Sequence, residues 1–205
     1  LVELGANGLL LAPIFASVSH GYDTLDHYRI DPRLGDAEDF ADLVAQAKQR
    51  GIRVCLDGVF NHLSREHPLV VRALAAGPGT PDGDWVDWRD GHAWPFEGHH
   101  PLVQLNLSPP PVMDYIVEVM NHWLDAGVDG WRLDAAYAAG APAWRPIIAR
   151  VRAAPPQAWL LGEVIHGDYA EFVAASGIDT VTQYELWHAI WDSLLDVNLY
   201  SLDWT

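Results

Sequence analysis

The chain has 205 residues, half of them apolar, and a formal charge of -16 at pH 7. A chain of this length can bury a substantial core, and it contains no apolar stretch long and uniform enough to span a bilayer. Nucleic-acid binding requires a clustered basic surface, whereas this sequence offers only Lys48 and scattered Arg. We therefore expect neither a membrane nor a nucleic-acid partner.

Cysteine and histidine usage gives no sign of a disulfide or a metal site. Cys55 is the only cysteine, so no internal disulfide can form, and its apolar surroundings favour a buried structural role. The pair His99 and His100, together with His92, lacks the fixed spacing of a metal site. We expect no metal and no cofactor. We also expect a cytoplasmic rather than a secreted protein, and the sequence indicates no oligomeric state.

Strand-like and helical patterns alternate along the chain. Near-continuous apolar runs are typical of parallel strands that are covered on both faces. The runs lie at residues 8–15, 52–57, 128–134, 159–164 and 178–184. Alternation of such runs with helices predicts an α/β fold with a parallel sheet.

Two helices have clear boundary signals. The first is expected to begin at Asp36, with Asp39 three residues later, to place Phe40, Leu43, Val44 and Ala47 on one face, and to end at Gly51. The second is expected to follow Pro109, Pro110 and Pro111 and to end at Gly127. Its apolar positions are Val112, Ile116, Val119, Met120, Trp123 and Leu124. Shorter helices are predicted at 143–153, 169–175 and 187–196.

Three short segments each place an acid at the end of an apolar run. They are Asp57-Gly58-Val59-Phe60-Asn61-His62, Gly130-Trp131-Arg132-Leu133-Asp134 and Gly162-Glu163-Val164. In an α/β barrel the carboxyl ends of the strands converge on one face, so these acids can meet. Such convergence can assemble a carboxylate pair for glycosidic bond cleavage. Arg132 lies two residues before Asp134, and alternation along a strand puts both on the same face.

Residues 63–107 interrupt the alternation of strands and helices. This interval has no clean period and is rich in Gly, Pro, His and Asp, with aromatics at Trp85, Trp88, Trp94 and Phe96. A loop-rich segment of this length inside a domain is usually functional. We predict an inserted domain at 63–107 between barrel parts at 1–62 and 108–205. Its aromatic residues either stack on sugar rings or form a separate hydrophobic cluster within the inserted domain.

Taken together, the three acidic segments resemble the first three sequence regions of the α-amylase family of glycoside hydrolases, in the family's order. Two further segments agree. Gly21-Tyr22-Asp23 with Tyr28-Arg29-Ile30-Asp31-Pro32 resembles the loop after the second barrel strand, and Gln104-Leu105-Asn106-Leu107 resembles the motif that closes the family's inserted domain. The agreement runs from Leu4 to about Trp187. A chance match of five motifs in the family's order is not expected.

The resemblance implies a retaining mechanism, with Asp134 as the nucleophile and Glu163 as the general acid. Arg132 is then expected to hold Asp134 ionised and oriented. Apolar surroundings and nearby carboxylates are expected to keep Glu163 protonated until attack. The structural alternative for Asp134 and Arg132 is a buried ion pair without chemistry.

The resemblance also implies the residues that bind the sugar. Asp57 is expected to support Arg132 from the neighbouring strand, His62 and Asp23 to hydrogen-bond the sugar hydroxyls, and Tyr22 to stack on the ring. Asn61 resembles a calcium ligand of some family members. We do not favour calcium binding here, because too few carbonyl and carboxylate partners can be named.

The sequence departs from the family pattern in two respects. Asp134 is followed by Ala135, Ala136 and Tyr137, whereas many starch-cleaving members have a Lys-His pair here. In addition, the family's third catalytic carboxylate has no counterpart in this chain. The five strand signals correspond to the second through sixth of eight, which predicts an incomplete (β/α)₈ TIM barrel.

We therefore interpret the chain as part of a retaining α-glycosidase whose full-length parent acts on α-glucans or short α-glucosides. The expected partner is an oligosaccharide or glucoside substrate. A transglycosidase of the same family is one alternative, because transfer and hydrolysis differ only in the acceptor. A non-catalytic interaction protein on the same fold is another, although the presence of both Asp134 and Glu163 argues against it.

Overall fold

The strands are short, and those of the main sheet are separated along the chain by helices. We describe them from a computed structural model that covers residues 1–153 and 158–204. The strands are β1 (Gly8–Leu10), β2 (Phe15–Ser17), β3 (Thr24–Ile30), β4 (Arg53–Gly58), β5 (His62–Ser64), β6 (Trp88–Arg89), β7 (His92–Ala93), β8 (Pro95–Phe96), β9 (His99–Gln104), β10 (Gly130–Leu133), β11 (Trp159–Gly162) and β12 (Thr180–Val181).

The helices lie between the strands of the main sheet and at the end of the described chain. They are α1 (Ala37–Gln49), α2 (Pro68–Ala76), α3 (Pro110–Asp125), α4 (Ala136–Ala139), α5 (Ala141–Ala153), α6 (Tyr169–Ser176), α7 (Tyr184–Asp196) and α8 (Tyr200–Trp204). Short 3-10 helices occur at Val2–Leu4 and Gly83–Trp85. In the part of the chain that the structure describes, no helix combines the length and the apolar character needed to cross a membrane.

A five-stranded parallel sheet in the order β1-β4-β10-β11-β12 forms the centre of the fold. Each of its strands lies within or beside one of the predicted apolar runs, which confirms the expected parallel sheet. The run at 178–184 was expected to be a longer strand, but only Thr180–Val181 pair with β11. The remainder of that run turns into α7 at Tyr184.

The first apolar run is split between two sheets, which corrects the expectation of one continuous strand at 8–15. Gly8–Leu10 pairs in parallel with β4. Beyond Pro13, which has no N–H to donate, Phe15–Ser17 pairs antiparallel with Thr24–Ile30 in a separate hairpin with shifts in register. The resemblance predicts a loop here, whereas residues Thr24–Ile30 form the strand β3. The hairpin holds residues 21–23 against the carboxyl end of the main sheet, where Tyr22 contacts Asp57.

The helices largely follow their sequence signals. The side chain of Asp36 accepts from the backbone N–H groups of Glu38 and Asp39, and the Asp39 side chain accepts from Asp36 N, so the predicted capping box is present. One position differs. Leu43 is 39% exposed although Phe40 and Val44 are buried, because at 100° per residue Leu43 lies at the edge of that face. The predicted α3 is confirmed, and Gly127 after it has a φ of 101°.

Residues 63–107 fold against the main sheet. They contain α2 and the strands β6 to β9, and β9 pairs antiparallel with both β5 and β8. Leu63, Val70, Val86 and Val103 are nearly inaccessible and belong to the same hydrophobic core as the parallel sheet. The segment is therefore anchored by the main core and not by a separate cluster.

Candidate active site

The carboxyl ends of three adjacent strands bring the predicted acids together. Arg132 of β10 is paired in register with Asp57 of β4. Asp134 directly follows β10, and Glu163 directly follows β11. The side chains of Arg132 and Asp134 point to the same face, as alternation along a strand requires. The predicted convergence of acids at this edge of the sheet is thus observed.

One guanidinium contacts all three carboxylates. Arg132 Nη1 donates to Asp57 Oδ1 at 2.6 Å and Oδ2 at 2.7 Å, and to Asp134 Oδ1 at 3.1 Å. Arg132 Nη2 lies 2.7 Å from Glu163 Oε1. The expected support of Arg132 by Asp57 is present in these contacts. We call this group of Arg132, Asp57, Asp134 and Glu163 the arginine cluster.

Three carboxylates around one cation leave the arginine cluster with excess negative charge. Burial, followed by the charges of Asp57 and Glu163, raises the pKa of Asp134 to about 7, although Arg132 lowers it. Burial also raises the pKa of Asp57 against the opposing effect of Arg132. Burial lowers the pKa of Arg132, but the three carboxylates together raise it above its usual value. Arg132 thus favours the ionised form of Asp134, as expected, but burial and the two neighbouring acids oppose it.

The carboxylate of Glu163 is also held by two donors outside the arginine cluster. Ala135 N donates to Oε2 at 2.9 Å, and the Tyr184 hydroxyl donates to Oε1 at 2.9 Å. Ala135 has a φ of 48°, a left-handed conformation that non-glycine residues rarely adopt. This backbone turn, immediately after Asp134, directs its N–H to Glu163. Tyr184 was missed by sequence reasoning, because its contact spans 21 residues and has no local signal.

Tyr22 and His62 lie beside the arginine cluster. The Tyr22 hydroxyl donates to Asp57 Oδ2 at 3.1 Å, and burial with the nearby Asp57 charge raises the pKa of Tyr22 to about 12. His62 Nε2 lies 3.2 Å from the backbone oxygen of Tyr22. The His62 ring stacks on Phe96, with ring centroids 4.1 Å apart. Burial lowers the pKa of His62 to about 4, so it is neutral at pH 7.

Asp23 is turned toward its own loop. Its carboxylate accepts from Ser19 Oγ at 2.6 Å and from His20 N at 3.2 Å. Burial raises the pKa of Asp23, but these hydrogen bonds outweigh burial and lower it overall. No contact between Asp23 and the arginine cluster is found in the described residues. Sugar binding by Asp23 and stacking by Tyr22 stay predictions.

Residues 96 and 97 reach the site from the segment at 63–107. Phe96 covers one face of His62, and the carboxylate of Glu97 accepts a hydrogen bond from the Tyr137 hydroxyl. Glu97 has a φ of 48°, so the chain adopts an unfavourable conformation where it makes this contact. Sequence reasoning named Phe96 only as one of several aromatics, and it missed the pair Glu97 and Tyr137.

Asn61, which resembles a calcium ligand of some family members, lies directly before β5. Asn61 is buried, and neither polar atom of its side chain has a hydrogen-bond partner. Calcium requires six to eight oxygen ligands, usually including carboxylates. Across residues 1–153 and 158–204, no group of three or more His, Cys, Asp or Glu is arranged to hold a metal ion. The expectation that Asn61 binds no calcium stays a prediction.

Comparisons with known proteins agree with this arrangement. The sequence model of the family described as "Alpha amylase, catalytic domain" matches residues 1–104. A cyclomaltodextrinase of a Bacillus species is 36% identical over 205 residues, which cover 94% of this chain and 36% of the relative. The intracellular maltogenic amylase of Bacillus subtilis is 36% identical over 176 residues, which cover 81% of this chain and 29% of the relative.

Solved structures show the same fold. The native Nostoc punctiforme debranching enzyme is similar with a TM-score of 0.80 and 36% identity, over 90% of this chain and 40% of that one. The chain thus spans from 29% to 40% of the length of these three relatives.

A parallel sheet that carries a cluster of acids at the carboxyl ends of its strands is the active-site arrangement of (β/α)₈-barrel enzymes. Together with the structural match, it defines this chain as a partial TIM barrel. The family model covers just over half of the sequence. The chain belongs to the α-amylase family of glycoside hydrolases, which confirms the resemblance of its motifs.

Proposed function

We propose that this chain forms part of the active site of a retaining α-glycosidase that acts on α-glucans or short α-glucosides by double displacement. The main support is that Asp134 and Glu163, at the ends of adjacent strands, both contact the guanidinium of Arg132. Retaining glycosidases need two carboxyl groups about 5 to 5.5 Å apart. A shared guanidinium keeps both groups in one small volume.

Asp134 is the proposed nucleophile and Glu163 the proposed acid and base. In the first step, Asp134 forms a bond to the anomeric carbon while the glycosidic bond breaks, and Glu163 gives its proton to the departing oxygen. In the second step, Glu163 takes a proton from water, and that water displaces Asp134. The excess negative charge lets the arginine cluster retain a proton near neutral pH. Double displacement requires Glu163 to carry the proton that it delivers and Asp134 to be ionised in the reacting state.

The remaining site residues are proposed to bind the sugar. His62 and Asp23 hydrogen-bond its hydroxyls, Tyr22 stacks on its ring, and Asp57 fixes Arg132. Support comes from the position of Tyr22 and His62 beside the arginine cluster. Binding of the sugar hydroxyls by Asp23 requires that some of its contacts to Ser19 and His20 be exchanged for contacts to the substrate.

We further propose that the five parallel strands are the second to sixth strands of a complete barrel in a longer polypeptide. Residues 63–107 are then a small inserted domain after the third barrel strand, between barrel parts at 1–62 and 108–205. The greater length of the relatives supports this proposal. A third catalytic carboxylate is expected outside this chain. No metal, cofactor or nucleic-acid partner is part of the proposal.

The names of the relatives support the substrate class. They are a cyclomaltodextrinase, an intracellular maltogenic amylase and a debranching enzyme. We propose hydrolysis of an α-glucan or short α-glucoside, and a cytoplasmic location by analogy with the intracellular relative. Transfer to a sugar hydroxyl differs only in the acceptor of the second step.

The stereochemistry of the first product tests the proposal. Direct attack by Asp134 leaves no room for water between the carboxylate and the sugar, so the first-formed product of the full-length parent should have the α configuration. Proton NMR of the anomeric signals during early turnover of a maltooligosaccharide measures this. The Asp134→Asn variant is the control and should form no product. An initial β-anomer would show an inverting reaction and would overturn the proposal.

A further inference from the structure

The carboxylate of Glu163 contacts three donor groups, which come from two parts of the chain. Arg132 and the backbone N–H of Ala135 belong to the segment that carries Asp134. The third donor, the hydroxyl of Tyr184, comes from the first residue of α7. Arg132 and Tyr184 both contact Oε1, whereas Ala135 contacts Oε2. Tyr184 is therefore a donor to Glu163 that does not depend on the position of Asp134.

Thr182, two residues before Tyr184, forms hydrogen bonds with the residues on either side of Glu163 in the sequence. Thr182 N donates to the backbone oxygen of Gly162 at 3.0 Å. The hydroxyl of Thr182 accepts from Val164 N at 2.9 Å and donates to Val164 O at 2.8 Å. These bonds fix the start of α7 relative to the residues on either side of Glu163. The hydroxyl of Tyr184 is consequently held at Glu163 by the fold.

We propose that Tyr184 is a positioning residue for Glu163, an inference that rests on the function proposed above. Its hydroxyl holds Oε1 and thereby fixes the plane of the carboxyl group that delivers a proton to the departing oxygen. Tyr184 itself neither gains nor loses a proton in either step. Burial and the neighbouring Glu163 raise the pKa of Tyr184, so the hydroxyl remains a donor across the working pH range.

The dependence of the reaction on its leaving group tests this role. In the full-length parent, kcat/KM is measured for maltotriose and for 2,4-dinitrophenyl α-maltoside. Both substrates carry the same maltosyl unit, but dinitrophenolate departs without protonation. Glu163 gains negative charge as it gives up its proton, so the loss of one hydrogen bond to it should lower kcat/KM of Tyr184→Phe for maltotriose roughly 10- to 100-fold. The value for the dinitrophenyl substrate should change less than about threefold.

Tyr169→Phe is the matched control. The Tyr169 hydroxyl donates to the backbone oxygen of Ile165 at 3.0 Å and has no contact with Glu163 in the described residues. This variant should change neither value appreciably. Equal losses on both substrates for Tyr184→Phe, or no loss on maltotriose, would overturn the positioning role while the proposed function stands. A wild-type parent inactive on both substrates would instead overturn the proposed function and the inference with it.

Discussion

Replacing Asp134 by Asn should stabilise the folded chain at alkaline pH. Asp134 is 7% exposed, and burial together with Asp57 and Glu163 raises its pKa from 3.8 to about 7. This rise corresponds to a cost of about 4 kcal/mol for ionising Asp134 in the folded chain. The opposing effect of Arg132 is already included in this net rise. The expected gain for the neutral Asn side chain is therefore about 4 kcal/mol.

The raised pKa of Asp134 defines the pH range over which the stabilities of the wild type and the Asn variant diverge. Below pH 3.8, Asp134 is protonated in both the folded and the unfolded chain, and its stabilising contribution is fully present. As the pH rises toward 7, the unfolded chain releases this proton first, so that contribution is lost from the wild type. The Asn variant has no proton to release at this position. The difference in stability should therefore grow between about pH 4 and pH 7 and stay constant above.

Urea denaturation followed by tryptophan fluorescence measures the free energies of unfolding of the wild type and of Asp134→Asn. Submicromolar protein concentrations limit association. Asp129→Asn is the control, because Asp129 lies before β10, at the opposite end of the strand from Asp134. Its carboxylate accepts a hydrogen bond from Val54 N at 2.8 Å. This control should show no gain at about pH 8. If Asp134→Asn is no more stable than the wild type at about pH 8, or gains equally at about pH 4, the reasoning about the arginine cluster is wrong.

Two further predictions concern the sheet and the isolated chain. Gly130→Ala should lower the free energy of unfolding by about 2–3 kcal/mol or more, because its Cβ would lie 2.2 Å from the Trp159 backbone oxygen; an unchanged urea midpoint would contradict this. Residues 1–205 expressed alone should aggregate above submicromolar concentrations, because Trp187, Leu194 and Val197 are 64%, 74% and 89% exposed. They should also lack glycosidase activity, because the third catalytic carboxylate is expected outside this chain. Light scattering and a maltooligosaccharide assay test this, and a monomeric, active preparation would refute it.

Sequence could predict the meeting of the acids because it depends on two simple regularities. Parallel strands place their carboxyl ends at one edge of a sheet, and residues two apart on a strand share a face. These regularities fix the positions of Asp57, Arg132 and Asp134. The boundaries of α1 and α3 were also predictable, because caps and terminating glycines act within a few residues.

Contacts between segments distant in sequence were not predictable. The bonds from Tyr184 to Glu163 and from Tyr137 to Glu97 join residues 21 and 40 positions apart, and no local pattern marks them. The strand β3 was missed for a related reason, since its pairing with β2 depends on a hairpin with an irregular register. The pKa of Asp134 likewise depends on its burial and on its distances from Asp57 and Glu163, which only the folded chain defines.

The register of the sheet and the electrostatics of the site depend on each other. A shift of β10 by one residue would turn Arg132 and Asp134 to the opposite face of the sheet and leave Asp57 without its cation. Such a shift would also remove Gly130 from its position against Trp159, where no other side chain fits. The absence of a Cβ at Gly130 therefore contributes to the placement of Arg132. A largely buried arginine with three acids costs stability, and the close packing at Gly130 holds β10 in the register that places Arg132 among them.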